Sequence, residues 1–181
     1  MPENRRVVLC PHDPGWANIA AAERTRWRAA IGDALVTIDH IGSTAIGGIA
    51  AKPIIDLLAT VASLDAFDAC APQVVALGYQ WRGEFGIAGR RYCTDDDLVT
   101  GARRFQVHAF ARGDAQIERH LAFRDYLRAH PREASDYEAE KRRVAALHSE
   151  DWGEYAEAKS PWIRACDDRA RAWRLRSDFA S

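Results

Sequence analysis

Between positions 40 and 58 the chain reads His-Ile-Gly-Ser-Thr-Ala-Ile-Gly-Gly-Ile-Ala-Ala-Lys-Pro-Ile-Ile-Asp-Leu-Leu, two apolar runs joined by small residues. Gly42-Ser43 directly after an apolar run suits phosphate binding. A backbone without a Cβ comes close enough for its N–H groups, and the hydroxyls of Ser43 and Thr44, to meet phosphate oxygens. The segment is not a Walker A loop: Gly42 and Gly47 have its separation, but Gly48 occupies the lysine position. Asp56 stands among Ile54, Ile55, Leu57 and Leu58, where an unpaired carboxylate would be costly, and a metal ion, an arginine or Lys52 could neutralise it. Lys52 suits phosphate as a point charge, and His40 could position a group or exchange a proton near neutral pH. An ordinary turn and a buried ion pair are the structural alternatives at the same residues.

Further along, His108 falls on the polar side of an alternating run, without the His-x-His or His-x-x-x-His partner that would make it a metal signature by itself. His120, Arg124 and Arg128 recur every four residues along one helix edge. They supply anion donors if that edge meets the Gly-Ser turn, and an ordinary charged surface with Glu118 and Asp125 if it meets water. Lys141 and Lys159 occupy hydrophobic places in helical stripes. Lys159 lies in the stripe Tyr155, Trp162, Ile163, Cys166, Ala170, Trp173, and Lys141 lies between Tyr137 and Val144. Their long stems could equally carry the ammonium groups out to solvent.

The elements that must position these groups follow from periodicity. Val7–Cys10 predicts a brief strand, and the turn Pro11-His12-Asp13-Pro14-Gly15 delivers a helix near Trp16, with Ile19, Glu23, Trp27 and Ile31 on one face and Gly32-Asp33 as its end. Strands are expected over 35–41 and 54–61, a helix over 64–77, a strand over 79–85, an acidic turn at Asp95-Asp96-Asp97, and a strand over 104–110 with Phe105, Val107 and Ala109 sharing a face. From Ala115 onward the pattern is helical: one helix to His130, another from Pro131, and a third from about Asp151 that Pro161 either kinks or restarts with Ser160 as cap. The expectation is one α+β domain over residues 1–181, sheet first and helical cover second.

Composition narrows the function classes. In 181 residues, 25 Lys and Arg against 26 Asp and Glu leave a net charge of −1, which argues against a dedicated nucleic-acid binder. The cysteines Cys10, Cys70, Cys93 and Cys166 are far apart and suggest neither a disulfide framework nor a zinc site. No apolar run reaches the roughly 20 residues that span a bilayer. A reducing cytoplasm, with no membrane partner, is the expected setting. Most of the six tryptophans read as core or pocket wall.

Taken together, Pro11-His12-Asp13-Pro14-Gly15-Trp16, His40-Ile41-Gly42-Ser43-Thr44, Ala51-Lys52-Pro53-Ile54-Ile55-Asp56, Val107-His108, Phe123-Arg124-Asp125-Tyr126-Leu127-Arg128 and the late Tyr155 and Lys159 strongly resemble the GrpB family, placed in the nucleotidyltransferase superfamily. The resemblance covers nearly the whole chain. It implies a nucleotidyltransferase-like mixed β-sheet with flanking helices and a helical C-terminal half, a glycine-serine phosphate turn, and a pocket between that turn and the helices. In the superfamily pattern two carboxylates one residue apart, with a third on a later strand, hold two magnesium ions. Asp56 matches the first, but Leu58 fills the second place, and Gln106-Val107-His108 stands where the family often has His-x-His. His12 and Gly47 replace a usual tyrosine and proline.

The leading expectation is therefore a protein that binds a nucleotide or another phosphorylated small molecule. Gly42, Ser43 and Thr44 would lie on phosphate, Asp56 with His108 on one magnesium or other divalent ion, and Lys52, Arg124, Arg128, Lys141 and Lys159 would give counter-charge. Asp56, His108 and His40 are the catalytic candidates if nucleotidyl or phosphoryl transfer takes place. A ligand-binding or regulatory module without turnover is the second reading. The third is an interaction surface on the C-terminal helix, formed by Trp162, Trp173, Arg169, Arg171, Arg174 and Arg176.

Overall fold

The structure, a computed structural model, describes residues 6–178. Helix α1 (Gly15–Ile31) leads into strand β1 (Leu35–Ile41), then β2 (Ile55–Val61), two short helices α2 (Leu64–Asp68) and α3 (Ala71–Ala76), and strands β3 (Gln80–Trp81), β4 (Arg90–Asp96) and β5 (Arg103–Ala111). Helices α4 (Ala115–Ala129), α5 (Pro131–Leu147) and α6 (Trp152–Asp178) complete the chain. The five strands lie in the order β1-β2-β5-β4-β3, with β2 and β5 parallel and every other pair antiparallel.

Strand alternation divides the sheet into two differently used faces. On the back, Leu57, Ala59 and Val61 of β2 and Phe105, Val107 and Ala109 of β5 join Trp16, Ala20, Trp27 and Ile31 of α1, with Phe67 and Val74, in the largest core cluster. The stripe of α1 that is buried runs through Trp16, Ala20, Glu23, Trp27 and Ile31. Ile19, expected on it, is rotated off and 46% exposed. Glu23 is tolerated in that stripe because its carboxylate accepts from the Tyr79 hydroxyl (2.9 Å) and from Arg26 (2.7 Å).

On the front, Leu58 and Phe110 pack with Ile41 beneath Ile117 and Leu121 of α4. A second cluster joins Ile46 and Ile49 of the β1–β2 connection to Ala122, Tyr126 and Leu127 of α4, Ala134 and Tyr137 of α5, and Cys166 and Ala170 of α6. Local chemistry sets the helix starts: Asp114 accepts from the Gln116 N–H, Pro131 opens α5, and Asp151 accepts from the N–H groups of Gly153 and Glu154.

Several expected elements come out differently. Val7–Cys10 makes no strand, only a single bridge from Cys10 to Ala51. The helix expected over 64–77 is two, with Ser63 capping the first. The strand expected over 79–85 shrinks to Gln80–Trp81; Arg82 and Gly83 still exchange hydrogen bonds with Tyr92 of β4 (2.9 and 2.8 Å), but the positive φ of Gly83 turns the chain out of the ladder. Asp95 and Asp96 belong to β4, neutralised by Arg104 and Arg103, and only Asp97 starts the turn, accepting from the Val99 and Thr100 N–H groups. Pro161 neither ends nor restarts α6, and Ser160 is no cap: its hydroxyl donates to the Ala156 carbonyl one turn earlier (2.8 Å). Trp162 and Trp173 pack against the helical core, while Arg169 pairs with Glu133 and Arg174 with Glu118 and Asp125. Trp162 and Trp173 are thus partly buried in core packing, while Arg171 and Arg176 of the same helix are exposed. Among the described residues no helix is long and apolar enough to cross a membrane.

Leu58 occupies the same face as Asp56 but is fully buried. Restoring a second carboxylate there with Leu58→Asp is expected to cost about 3 kcal/mol or more of stability, because the charge would enter the apolar cluster under α4. Urea denaturation checks this.

Candidate functional site

The sheet ends abruptly at Gly42. Its φ of 71° with ψ of −172° is a conformation essentially reserved for glycine. Antiparallel pairing sets Ile41 opposite Asp56, so a Cβ at Gly42 would fall 2.5 Å from the Asp56 Oδ2. A short 3-10 turn, Ser43–Ala45, follows. Thr44 is buried, and its hydroxyl donates to the Ile54 carbonyl (3.3 Å), which leaves the His40 Nε2–H to donate to the Thr44 Oγ1 (2.9 Å). Thr44 therefore ties the turn to the start of β2, and its proton is not free for phosphate.

His40, expected to face the site, does not line the cleft. It pairs across the ladder with Leu57, whose side chain belongs to the back face, whereas its neighbour Ile41 pairs with Asp56 on the front. Burial, reinforced by the nearby guanidiniums of Arg128, Arg124 and Arg24, lowers its pKa to about 4 despite the opposing pull of Asp56. At neutral pH it is a neutral hydrogen-bonding strut.

Arg124 and Arg128 also fail to reach the cleft. Arg124 donates to the His40 carbonyl (3.2 Å) and pairs with Asp125 (2.8 Å) and Asp39 (3.6 Å), and Arg128 donates to the Ala45 carbonyl (2.8 Å). Where the chain leaves the ladder its carbonyls need donors, and this edge of α4 supplies them. The two arginines brace the turn from outside.

The remaining candidates converge on one cavity of about 300 Å³. Ser43 lies at its edge, its hydroxyl donating to the Tyr137 Oη (3.4 Å), and Asp56 with Gln106 and His108 forms the floor from neighbouring strands. Lys52 from the β1–β2 connection, Lys141 from α5 and Lys159 from α6 line the same space. Each ammonium lies on an aromatic face: Lys52 over Trp152 (4.0 Å), Lys141 over Tyr137 (4.7 Å) and Lys159 over Tyr155 (4.7 Å). Lys141 also donates to the Ala50 carbonyl, while Glu138, three residues earlier, accepts from the Ala50 N–H (2.8 Å), so α5 holds both sides of that loop. Burial, with Lys159 adding repulsion, lowers the Lys141 pKa to about 7.

Sequence reasoning missed Arg90, which is buried and places a guanidinium nitrogen 3.4 Å from the His108 Nδ1. Guanidinium only donates, so Nδ1 accepts and the ring proton resides on Nε2, 3.8 Å from the Asp56 Oδ1. Arg119 and His120 also line the cavity, with Arg119 donating to the His120 Nε2 (3.2 Å) and burial holding His120 neutral. The helical spacing of His120 with Arg124 and Arg128 pointed to this edge; nothing local distinguished Arg90 among the arginines of its segment.

Asp56 and His108 do not by themselves form a complete ligand set for the divalent metal expected there. Leu58 is apolar, the Arg90 guanidinium lies 3.4 Å from the His108 Nδ1, and among the described residues no three His, Cys, Asp or Glu side chains gather to hold an ion.

The fold is nucleotidyltransferase-like. A crystal structure of the Cid1 poly(U) polymerase with MgGTP bound superposes with a TM-score of 0.53 at 16% identity, covering 76% of this chain and 44% of that one. The chain belongs to the GrpB family, whose model, described as GrpB protein, matches residues 6–169. YqkA of Bacillus subtilis (strain 168) is 40% identical over 170 residues, which are 94% of this chain and 49% of that relative, so the chain spans about half its length. The crystal structure of conserved protein GrpB from Enterococcus faecalis superposes with a TM-score of 0.85 at 31% identity, covering 92% of this chain and 99% of that one.

The contact at Gly42 gives a direct test. Gly42→Ala is expected to cost roughly 2–4 kcal/mol, from backbone strain plus overlap with Asp56. The double variant Gly42→Ala/Asp56→Ala should recover the steric share and not the backbone share, which a denaturation double-mutant cycle reads out.

Proposed function

We propose that the cleft binds a nucleotide or another phosphorylated small molecule, with lysines rather than a metal ion supplying the counter-charge. The observation that carries this reading is the meeting of Lys52, Lys141 and Lys159, from three separate elements, in the cavity that Gly42 and Ser43 also line, with one carboxylate among them. Such an excess of positive charge in a half-enclosed space favours an anion. In this reading the backbone at Gly42-Ser43 and the Ser43 hydroxyl approach the phosphate, and the lysines surround it. His108 offers the Nε2–H as a donor, and Asp56 accepts from a ligand hydroxyl or amine.

Positioning and charge are what these side chains supply, so the reading is of a binding module on a transferase-like fold. It is tested by calorimetry with ATP and with inorganic tripolyphosphate, each in EDTA and in magnesium. Binding is expected in EDTA, and Lys159→Ala should weaken it roughly 10- to 100-fold, the range of a hydrogen bond to a charged group. Binding that needs the metal, or is untouched by Lys159→Ala, overturns the reading.

The Lys141 pKa of about 7 adds a pH signature. Below that value the amine is charged and above it neutral, so affinity should fall as pH rises from 6 to 8. Because ligand titration is common to both proteins, comparing wild type with Lys141→Met isolates the lysine: the ratio of their affinities should shrink with rising pH. A ratio independent of pH would show that Lys141 does not titrate against the ligand.

A further inference from the structure

The lysine-walled cleft continues into a second depression, which shares Lys52, Gln106 and Lys159 with it and extends to Phe85, Tyr92 and Trp152. The sheet supplies a ruler. Ile41 pairs with Asp56 and Asp56 with Gln106, and two residues further along β5 His108 pairs with Tyr92, so the path from the Gly42 turn to Tyr92 crosses β1, β2, β5 and β4 with a two-residue offset along β5. Three inter-strand steps of about 4.8 Å and two residues of about 3.3 Å along β5 carry the face from the Gly42 turn to Tyr92, roughly 16 Å in all. A single phosphate group cannot bridge that distance. A ligand with phosphate at one end and a ring at the other can.

Phe85 stands at the far end in an unusual state. Its φ of 45° makes it the one non-glycine residue with positive φ among those described, a strained conformation for a bulky side chain. Burial does not compensate, because the side chain is 55% exposed. Its ring stacks on Tyr92, with centroids 5.3 Å apart and planes 26° from parallel. The loop is pinned in this shape by Arg90, which donates to the Phe85 carbonyl (2.7 Å) and the Glu84 carbonyl (3.2 Å), and by the Gly89 N–H donating to the Glu84 Oε1 (2.8 Å). The same Arg90 contacts the His108 Nδ1, so the strained loop and the floor of the phosphate cleft are held by one buried side chain.

We propose that Phe85, backed by Tyr92, is the stacking platform for the base of a nucleoside phosphate whose phosphates lie at the Gly42–Ser43 turn. The ligand class is then nucleotides, rather than phosphorylated compounds without a ring. This rests on the phosphate reading above and goes beyond it in naming the other half of the ligand. Stacking is tolerant of base identity, so purine and pyrimidine nucleotides both fit.

The test compares the four common ribonucleoside triphosphates with inorganic tripolyphosphate, by calorimetry on the full chain. At least one nucleotide should bind roughly 5- to 100-fold tighter than tripolyphosphate, the range of one base–aromatic stack. Phe85→Gly should erase that preference while leaving tripolyphosphate affinity unchanged, and Phe85→Trp should retain it. Because glycine relieves the positive φ, Phe85→Gly should not lower Tm. A Tm that falls with the preference intact would assign Phe85 to structure and overturn the proposal. Equal binding of nucleotides and tripolyphosphate by wild type overturns the base platform and spares the phosphate site. If neither ligand binds, both readings fall.

Discussion

Where β1 runs out, the absent Cβ of Gly42 and the Asp56 carboxylate occupy adjacent space, and much of the site is arranged around that approach. Antiparallel register brings Asp56 beside the turn, and only a residue without a side chain can leave the sheet there. The surrounding elements then hold the departure in place. Thr44 ties the turn to the Ile54 carbonyl and to His40, Arg124 and Arg128 engage the carbonyls of His40 and Ala45, and Glu138 and Lys141 grip Ala50 from both sides. Helices α4 and α5 are thus fastened to the turn by charge-assisted hydrogen bonds as well as by apolar packing.

Charge in the cleft is distributed unlike that of a two-metal transferase site. Leu58, two residues beyond Asp56 on the same face, lets Ile117 and Leu121 of α4 close directly onto the sheet. The polar floor is shortened to Asp56, Gln106 and His108, and positive charge enters as three ammonium groups on aromatic rings, from the β1–β2 connection, α5 and α6. Stacked on tyrosine or tryptophan, a lysine gives up part of its hydration yet retains attraction for an anion. Lys141, with its pKa near neutrality, makes the charge of that wall depend on pH.

Much of this was legible from residue order. The turn and its two strands follow from apolar runs interrupted by Gly42-Ser43, and the back-facing Phe105, Val107 and Ala109 follow from simple alternation. Lys141 and Lys159 were visible as charges in hydrophobic places, and both do face the cleft. Alternation, applied strictly, would also have turned His40 away: if Ile41 and Asp56 share the front face, His40 belongs to the back. Arg124 and Arg128 shared a helix edge with His120, but spacing shows only that residues lie together, not which acceptor each one meets. Arg90 carried no local signal, since its partners lie in a loop five residues back and on a strand 18 residues on.

By itself the sequence determined the strand–turn–strand frame, the lone carboxylate and the helical second half, because each depends on short-range periodicity or on one residue's chemistry, whereas Leu58 in place of a second carboxylate is visible only through the family resemblance. Tertiary structure alone decided which cations reach the cleft and which brace its turn. That outcome depends on how far α4, α5 and α6 sit from the sheet edge, and on which backbone carbonyls are left without a ladder partner. Those quantities are set by packing between segments distant along the chain, and no local pattern encodes them.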